Sequence, residues 1–530
     1  MKSYYSLIFG LFFLPVTVIV YQLFPQKKRW IVLLGASYLF FWSISQQLIV
    51  YILFSSLSIH HFGLWMESID NEFKLKKPYL DKAVLKSERQ AMMQKKRYVL
   101  LMAISLHLGL LIALKYSAFF IRNMNIAFDF FRFPLWIEVP SFLLPIGISF
   151  YSLQAISYMC DVYRGTITAD RNLGRLALYL TFFPQLMEGP ICRYGEMASQ
   201  LWQGKSVTYG QLTFGMQRIL LGLMKKMVIA DRLNPLVDEI FKNYQTYSGE
   251  IIFVGAVAYT AQLYMEFSGT MDLVIGTAEI FGIRLPENFR QPFFSRSIAE
   301  FWRRWHITLG AWFKDYVFYP VSMSQFSKKL TRKARKKAGN YFGPLLAGGI
   351  ALLAVWIANG FWHGVGWNYL FFGLYHFVLI FTGSLMIPFF KKINTTLNID
   401  AHHYAYQAMQ MIRTVLLVCV GELFFRADGL YAGMQMFKKM VTAFSLTGLQ
   451  DGTLLNLGLD RHDFMIVLLA GAMMLIIGIL KEKNIEIRKA LAVRPLPVRW
   501  LVYYMLIMAI VVFGAYGSGY IPVNPMYANF

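Results

Sequence analysis

The fifty residues from Tyr341 to Phe390 contain no Lys, Arg, Asp or Glu. A run that long and that apolar reads as two membrane-crossing helices, Leu345 to Trp362 and Trp367 to Phe389, joined by a short turn. Inside it stands Asn359-Gly360-Phe361-Trp362-His363-Gly364. An imidazole flanked by aromatics, where the local composition is that of a bilayer core, is costly unless something uses or satisfies it. His363 is therefore the first residue to explain.

The rest of the chain has the same character. Of its 530 residues 57% are hydrophobic and 17% aromatic, with 15% charged, and the mean hydropathy is +0.45. These values belong to a polytopic membrane protein and not to a string of soluble domains. The formal charge of +23 is concentrated in short segments: nine Lys or Arg against two acids between Lys74 and Arg97, and seven with no acid between Lys328 and Lys337. That pattern marks segments facing a negative cytoplasmic leaflet. No nucleic-acid reading motif or aromatic-basic groove accompanies it, so nucleic acid is not an expected partner. Cys160, Cys192 and Cys419 lie far apart with no CxxC spacing, which suggests neither a metal site nor a disulfide framework.

In chain order, Tyr4 to Phe24 is long enough to cross and precedes Lys27, Lys28 and Arg29, so it reads as a retained first span with the N-terminus outside. Trp30 to Trp42 and Leu48 to Met66 form a hairpin. Tyr98 to Ile121 goes out and Phe142 to Tyr158 returns. From Leu173 to Arg193 an apolar run is interrupted by Pro184, Glu188, Gly189 and Pro190, the signature of a broken or re-entrant segment. Leu212 to Ile229 and Ile251 to Met265 are further spans, after which Phe267 to Asp272 reads as a kinked polar interruption. Ser297-Ile298-Ala299-Glu300 matches a capping box that opens a helix running through Trp312. Ala408 to Phe425, Phe464 to Leu480 and Leu501 to Tyr516 complete the spans, and the last puts the C-terminus outside. The expectation is an all-α membrane protein of about eleven crossings plus re-entrant pieces. Residues 1–530 form a single transmembrane domain: N-terminal helices over 1–140, a core over 141–426, and C-terminal helices and tail over 427–530.

Two histidines stand out by context, His306 in Phe301-Trp302-Arg303-Arg304-Trp305-His306 and His363 in its glycine-flanked motif. Either alone is weak evidence, since a lone histidine among aromatics is more often a hydrogen-bonded core residue than a catalyst. Together they suggest one interior site. A neutral imidazole within reach of an acceptor hydroxyl is the natural general base for acyl transfer, because the hydroxyl's own pKa is far too high, about 10 even for a tyrosine phenol. A second imidazole, or a nearby Arg or Asn, could orient that base or stabilise an oxyanion. Asn359, Trp362, Trp305, Arg303 and Glu188 are candidate supporting or tunnel-lining residues. Intramembrane charges also pair simply to lower their burial cost, which is the plainer reading of Arg303 and Glu188.

Four motifs carry a resemblance. They are Ser149 to Tyr158 with Asp161 and Tyr163-Arg164-Gly165; Phe182-Phe183-Pro184-Gln185-Leu186 with Glu188-Gly189-Pro190; Ile298 to His306; and Asn359 to Gly364. In this order they resemble the membrane-bound O-acyltransferase family, and within it the bacterial branch of alginate O-acetylation, peptidoglycan O-acetylation and teichoic-acid D-alanylation proteins. The resemblance implies a catalytic histidine at His363, a second at His306, a tunnel joining the two sides of the membrane, and no metal. It also implies an acyl thioester taken on the cytoplasmic side, acetyl-coenzyme A or an acyl-carrier-protein thioester, with delivery outward. The end of the chain, Pro525-Met526-Tyr527-Ala528-Asn529-Phe530, resembles the branch's acyl-accepting C-terminal pattern in Tyr527 and Phe530 but departs from it at Pro525 and Met526. Tyr527 is thus a candidate acyl relay, with an ordinary exposed tail as the other reading.

The expected function is an O-acetyltransferase for a cell-surface polysaccharide in the cell (inner) membrane. Its expected partners are membrane lipid, the polysaccharide acceptor and an extracytoplasmic esterase-like transferase of SGNH type. D-alanyl transfer to teichoic acid is the alternative within acyl transfer. A transporter without bond chemistry is the alternative outside it, although paired inverted repeats are not evident.

Overall fold

A computed structural model of the chain describes residues 3–516. It is built from helices, and no strand forms among the described residues beyond one isolated bridge between Phe289 and Trp305. Among the described residues eight stretches are long and apolar enough to cross a membrane: Gln26–Tyr79, Lys82–Phe130, Gly249–Ile280, Gln325–His363, Trp367–Thr396, Tyr404–Arg426, Arg461–Glu482 and Leu496–Phe513. The first contains two helices, Arg29–Ser45 and Ile49–Lys76, which meet where Gln46 adopts a left-handed φ of 43°. A shorter apolar helical stretch covers Phe9–Leu23. The protein is an all-α, multi-pass membrane protein. Its outward faces carry apolar side chains that water would not tolerate in such number, as at Leu468, Leu469, Trp500 and Met505.

The chain divides into two compact units, one holding 3–216 and 274–286 and the other 217–273 and 287–516 among the described residues. In the first unit the irregular stretch after helix Leu173–Thr181 is fully buried. Its backbone is served by side chains. Tyr4 Oη donates to the Phe183 carbonyl at 2.9 Å and accepts from Met187 N at 3.0 Å, and Ser37 Oγ accepts from Phe183 N. That is the condition under which broken backbone is tolerated in a membrane protein, and it matches the interruption expected there.

Six helices of the chain concern the site. These are α1 (Gly249–Ile280), α2 (Ile298–Arg304), α3 (Ile307–Phe313), α4 (Gln325–His363), α5 (Trp367–Thr396) and α6 (Tyr404–Arg426). Two expectations are corrected. The polar stretch 267–272 does not kink the chain, because α1 runs through it without interruption. Its polar groups are satisfied in place: Thr270 Oγ1 donates to the Glu266 carbonyl, and Asp272 is paired by Arg218 at 2.9 Å and by Lys225 at 2.6 Å. The helix opened by Ser297 does not reach Trp312. Ser297 Oγ accepts from Glu300 N as expected of an N-cap, yet the Glu300 carboxylate answers to Arg296 N and not to Ser297. The helix then breaks at Trp305 and His306, where the backbone leaves its ladder to pair with 288–290. Arg290 N donates to Arg304 O, and Ile307 N to Asn288 O.

α4 is two helices joined at Gly339, whose φ of 77° and ψ of −177° suit glycine and few other residues. Its second part and α5 pack as an antiparallel pair with backbone-to-backbone closeness. A Cβ on Gly373 would lie 2.3 Å from the Trp356 carbonyl, and one on Gly360 2.7 Å from that of Tyr369. The glycine next to the Trp362-His363 pair therefore admits a neighbouring helix.

Candidate active site

His363 is the last residue of α4, and Gly364 after it is extended. The imidazole is buried at 4% exposure and walled by aromatic rings. Trp362 lies at 4.9 Å between ring centres, Phe425 of α6 at 5.3 Å and Phe372 of α5 at 5.9 Å, each nearly perpendicular to it.

His306 occupies the break between α2 and α3 with φ 48° and ψ 51°, a conformation an ordinary L residue adopts only when its surroundings enforce it. Asn288 supplies that enforcement. Its Oδ1 accepts from Thr308 N at 3.1 Å and from Thr308 Oγ1 at 2.9 Å, and it stands 3.3 Å from His306 Nδ1. An oxygen that accepts from Thr308 also accepts from the ring, so the proton sits on Nδ1 and the lone pair on Nε2. His306 lies between two seven-residue helices, outside the eight candidate spans. Burial, and secondly His363 beside it, hold its pKa well below the ordinary imidazole range, so the ring is neutral.

The two histidines are brought together by Trp362. Its ring is 5.4 Å from that of His306 and 4.9 Å from that of His363. Trp305, also buried, forms another wall with Phe289 at 5.1 Å and Phe301 at 5.3 Å, while Phe267 of α1 meets His306 edge-on at 4.8 Å. Asn359 is buried one helical turn before His363, and its Oδ1 has no hydrogen-bond partner among the described residues. Arg303 is exposed, whereas its neighbour Arg304 pairs with Glu300 at 2.8 Å and Glu482 at 2.9 Å. Glu188 is fully buried in the first unit, on the irregular stretch after Phe183–Gln185. Tyr527 lies outside the described residues. Asn288, which organises the His306 break, is invisible to sequence reasoning: Glu287-Asn288-Phe289-Arg290 has no motif to flag it.

What the helices enclose is thus a buried pair of imidazoles in a multi-pass membrane protein, with one ring oriented by an amide and both set in aromatic walls. The profile of the membrane-bound O-acyltransferase family matches residues 169–334, a stretch that includes Asn288 and His306. A probable alginate O-acetylase, AlgI, of Pseudomonas putida is 31% identical over 461 residues, covering 85% of this chain and 84% of the relative. A peptidoglycan O-acetyltransferase of Helicobacter pylori is 28% identical over 70% of this chain and 68% of its own length. A teichoic acid D-alanyltransferase of Bacillus subtilis is 28% identical over 53% and 68%. The chain belongs to the membrane-bound O-acyltransferase family, and it is an acyltransferase.

Proposed function

We propose that this protein is an O-acetyltransferase of the cell membrane. It takes an acetyl group from a cytoplasmic thioester, acetyl-coenzyme A in the first instance, and delivers it outward for O-acetylation of a cell-surface polysaccharide. The observation that carries the reading is the pairing of His306 and His363 on one indole, Trp362, in a buried site. His363 is the general base and His306 assists. The imidazole removes the acceptor hydroxyl's proton, the oxygen attacks the thioester carbonyl, the C–S bond breaks, and the departing thiolate receives the proton. The aromatic walls keep water from competing for the acyl group.

Acetate is favoured over D-alanine because the alginate O-acetylase relative aligns over 85% of this chain and the D-alanyltransferase over 53%. Tyr527 acts as the acyl relay beyond the last span, handing the group to an extracytoplasmic esterase-like partner of SGNH type. The basic segments face the cytoplasm and both termini face outward. His363→Ala should abolish O-acetylation of the surface polysaccharide while the protein remains at its normal level in the membrane. An unchanged acetyl content in that variant would remove the proposal. Mass spectrometry of the C-terminal peptide during turnover tests the relay separately. An acyl ester on Tyr527 supports it, and a peptide never acylated leaves direct transfer to the partner.

A further inference from the structure

His376 is not used by the mechanism above, and its surroundings are unusual for a core residue. It is fully buried on α5. Trp302 Nε1 donates to its Nδ1 at 3.2 Å. An indole N–H only donates, so Nδ1 carries the lone pair and the ring proton lies on Nε2. The same imidazole stacks on Trp356 at 5.4 Å, and Trp302 meets Trp356 edge-on at 5.0 Å. Behind the ring, α6 presents Gly421, where a Cβ would come 2.7 Å from Nε2. The imidazole is held by the Trp302 hydrogen bond on one side and faces a glycine on the other, where any side chain at position 421 would collide with it.

The elements that meet here are the ones that carry the two site histidines. Trp302 stands four residues before His306, on α2, and Trp356 stands seven residues, two turns, before His363 on α4. Phe372 gives a second link, at 4.7 Å from His376 and 5.9 Å from His363. Aromatic packing alone would be met by a phenylalanine at position 376. The hydrogen bond from a half-buried indole adds a direction that packing lacks, because leaving that N–H unpaired is costly.

We propose that His376 is a positioning residue for acyl transfer: by accepting from Trp302 it fixes α2, and with it His306, against the helix that presents His363. The proposal rests on the reading that His306 and His363 serve the chemistry.

The test compares variants of the full chain in membrane vesicles from the native cells, where any partner the transfer needs is present. Transfer of radiolabelled acetyl from acetyl-coenzyme A is followed as kcat and KM, with thermal unfolding measured in parallel. His376→Phe keeps the packing and loses the acceptor. It should lower kcat about tenfold or more while KM stays within about twofold and unfolding is little changed. His376→Asn, whose amide oxygen can take the place of Nδ1, should restore part of the rate. If His376→Phe does not accumulate, Trp302→Phe removes the same hydrogen bond from its donor side and should show the same kcat-selective loss. Where both single variants fold, the double variant should lose no more than either alone. A wild-type kcat in His376→Phe or Trp302→Phe, or a loss confined to unfolding temperature, overturns the proposal. Full activity of His363→Ala in the same vesicles would instead overturn the functional reading, so the two failures are separable.

Discussion

Asn288 Oδ1 stands 3.3 Å from Nδ1 of His306, and the same oxygen accepts the backbone N–H and the hydroxyl of Thr308. One amide thus sets a ring tautomer and stabilises a left-handed backbone at a residue other than glycine. Buried donors left without an acceptor cost about 1–3 kcal/mol. Asn288→Ala removes the acceptor while leaving the imidazole in the chain. Turnover should therefore fall by about ten- to a hundredfold, since about 1.4 kcal/mol of barrier is a factor of ten. Acetyl transfer measured in vesicles checks this, and a rate equal to the wild type would show that His306 needs no such orientation.

His306 also predicts a pH effect on stability. Its pKa in the fold is held well below the ordinary value, first by burial and then by His363. The unfolded chain takes up a proton near pH 6.5 and the folded ring does not, so the unfolded state binds more protons as the pH falls below that value. Stability contributed by this residue is present above pH 6.5 and is lost on acidification, at up to about 1.4 kcal/mol per pH unit. Unfolding of the detergent-solubilised protein, followed from pH 7.5 to 5, should weaken more steeply for the wild type than for His306→Gln. Parallel curves would mean that His306 protonates in the fold as readily as in water.

Much of the architecture was legible in the sequence, because crossing a bilayer imposes length and composition that no tertiary contact can override. The apolar run 341–390 became the α4 and α5 pair, and the Pro-interrupted stretch before Arg193 proved irregular and buried. Local reading failed where a distant partner changes the meaning of a residue. Asp272 looked like a break in a helix, but Arg218 and Lys225, some fifty residues earlier in the chain, neutralise it within one. The helix expected over 297–312 was cut by hydrogen bonds to the backbone of 288–290. His376 had no local context at all, since its donor Trp302 is 74 residues away.

The Asp272 network gives a stability prediction. Its carboxylate holds Arg218 Nε at 2.9 Å and Lys225 Nζ at 2.6 Å, and Arg218 also binds Glu287 through both terminal nitrogens. Removing one partner of a buried ion pair typically costs about 3–5 kcal/mol, because the remaining charge stays desolvated. Asp272→Asn should lower the unfolding temperature strongly, and adding Lys225→Leu to Asp272→Leu should recover part of the loss by withdrawing the stranded charge. A Tm within error of the wild type for Asp272→Asn would show that these charges reach water after all.

Asn359 offers a way to separate a residue kept for chemistry from one kept for folding. It is buried one turn before His363 on the same face of α4, with an amide oxygen that nothing among the described residues satisfies. A core selected for stability alone would place an apolar side chain there, because burying an acceptor without a donor costs about 1–3 kcal/mol. Leucine is close to asparagine in shape and carries no such acceptor. Asn359→Leu should therefore unfold at a temperature equal to or higher than that of the wild type. Acetyl transfer in the same variant should drop by about tenfold or more if His363 acts as the proposed general base, because a polar group beside it is lost. The opposite result, lower stability with undiminished turnover, would assign Asn359 to packing and remove it from the site.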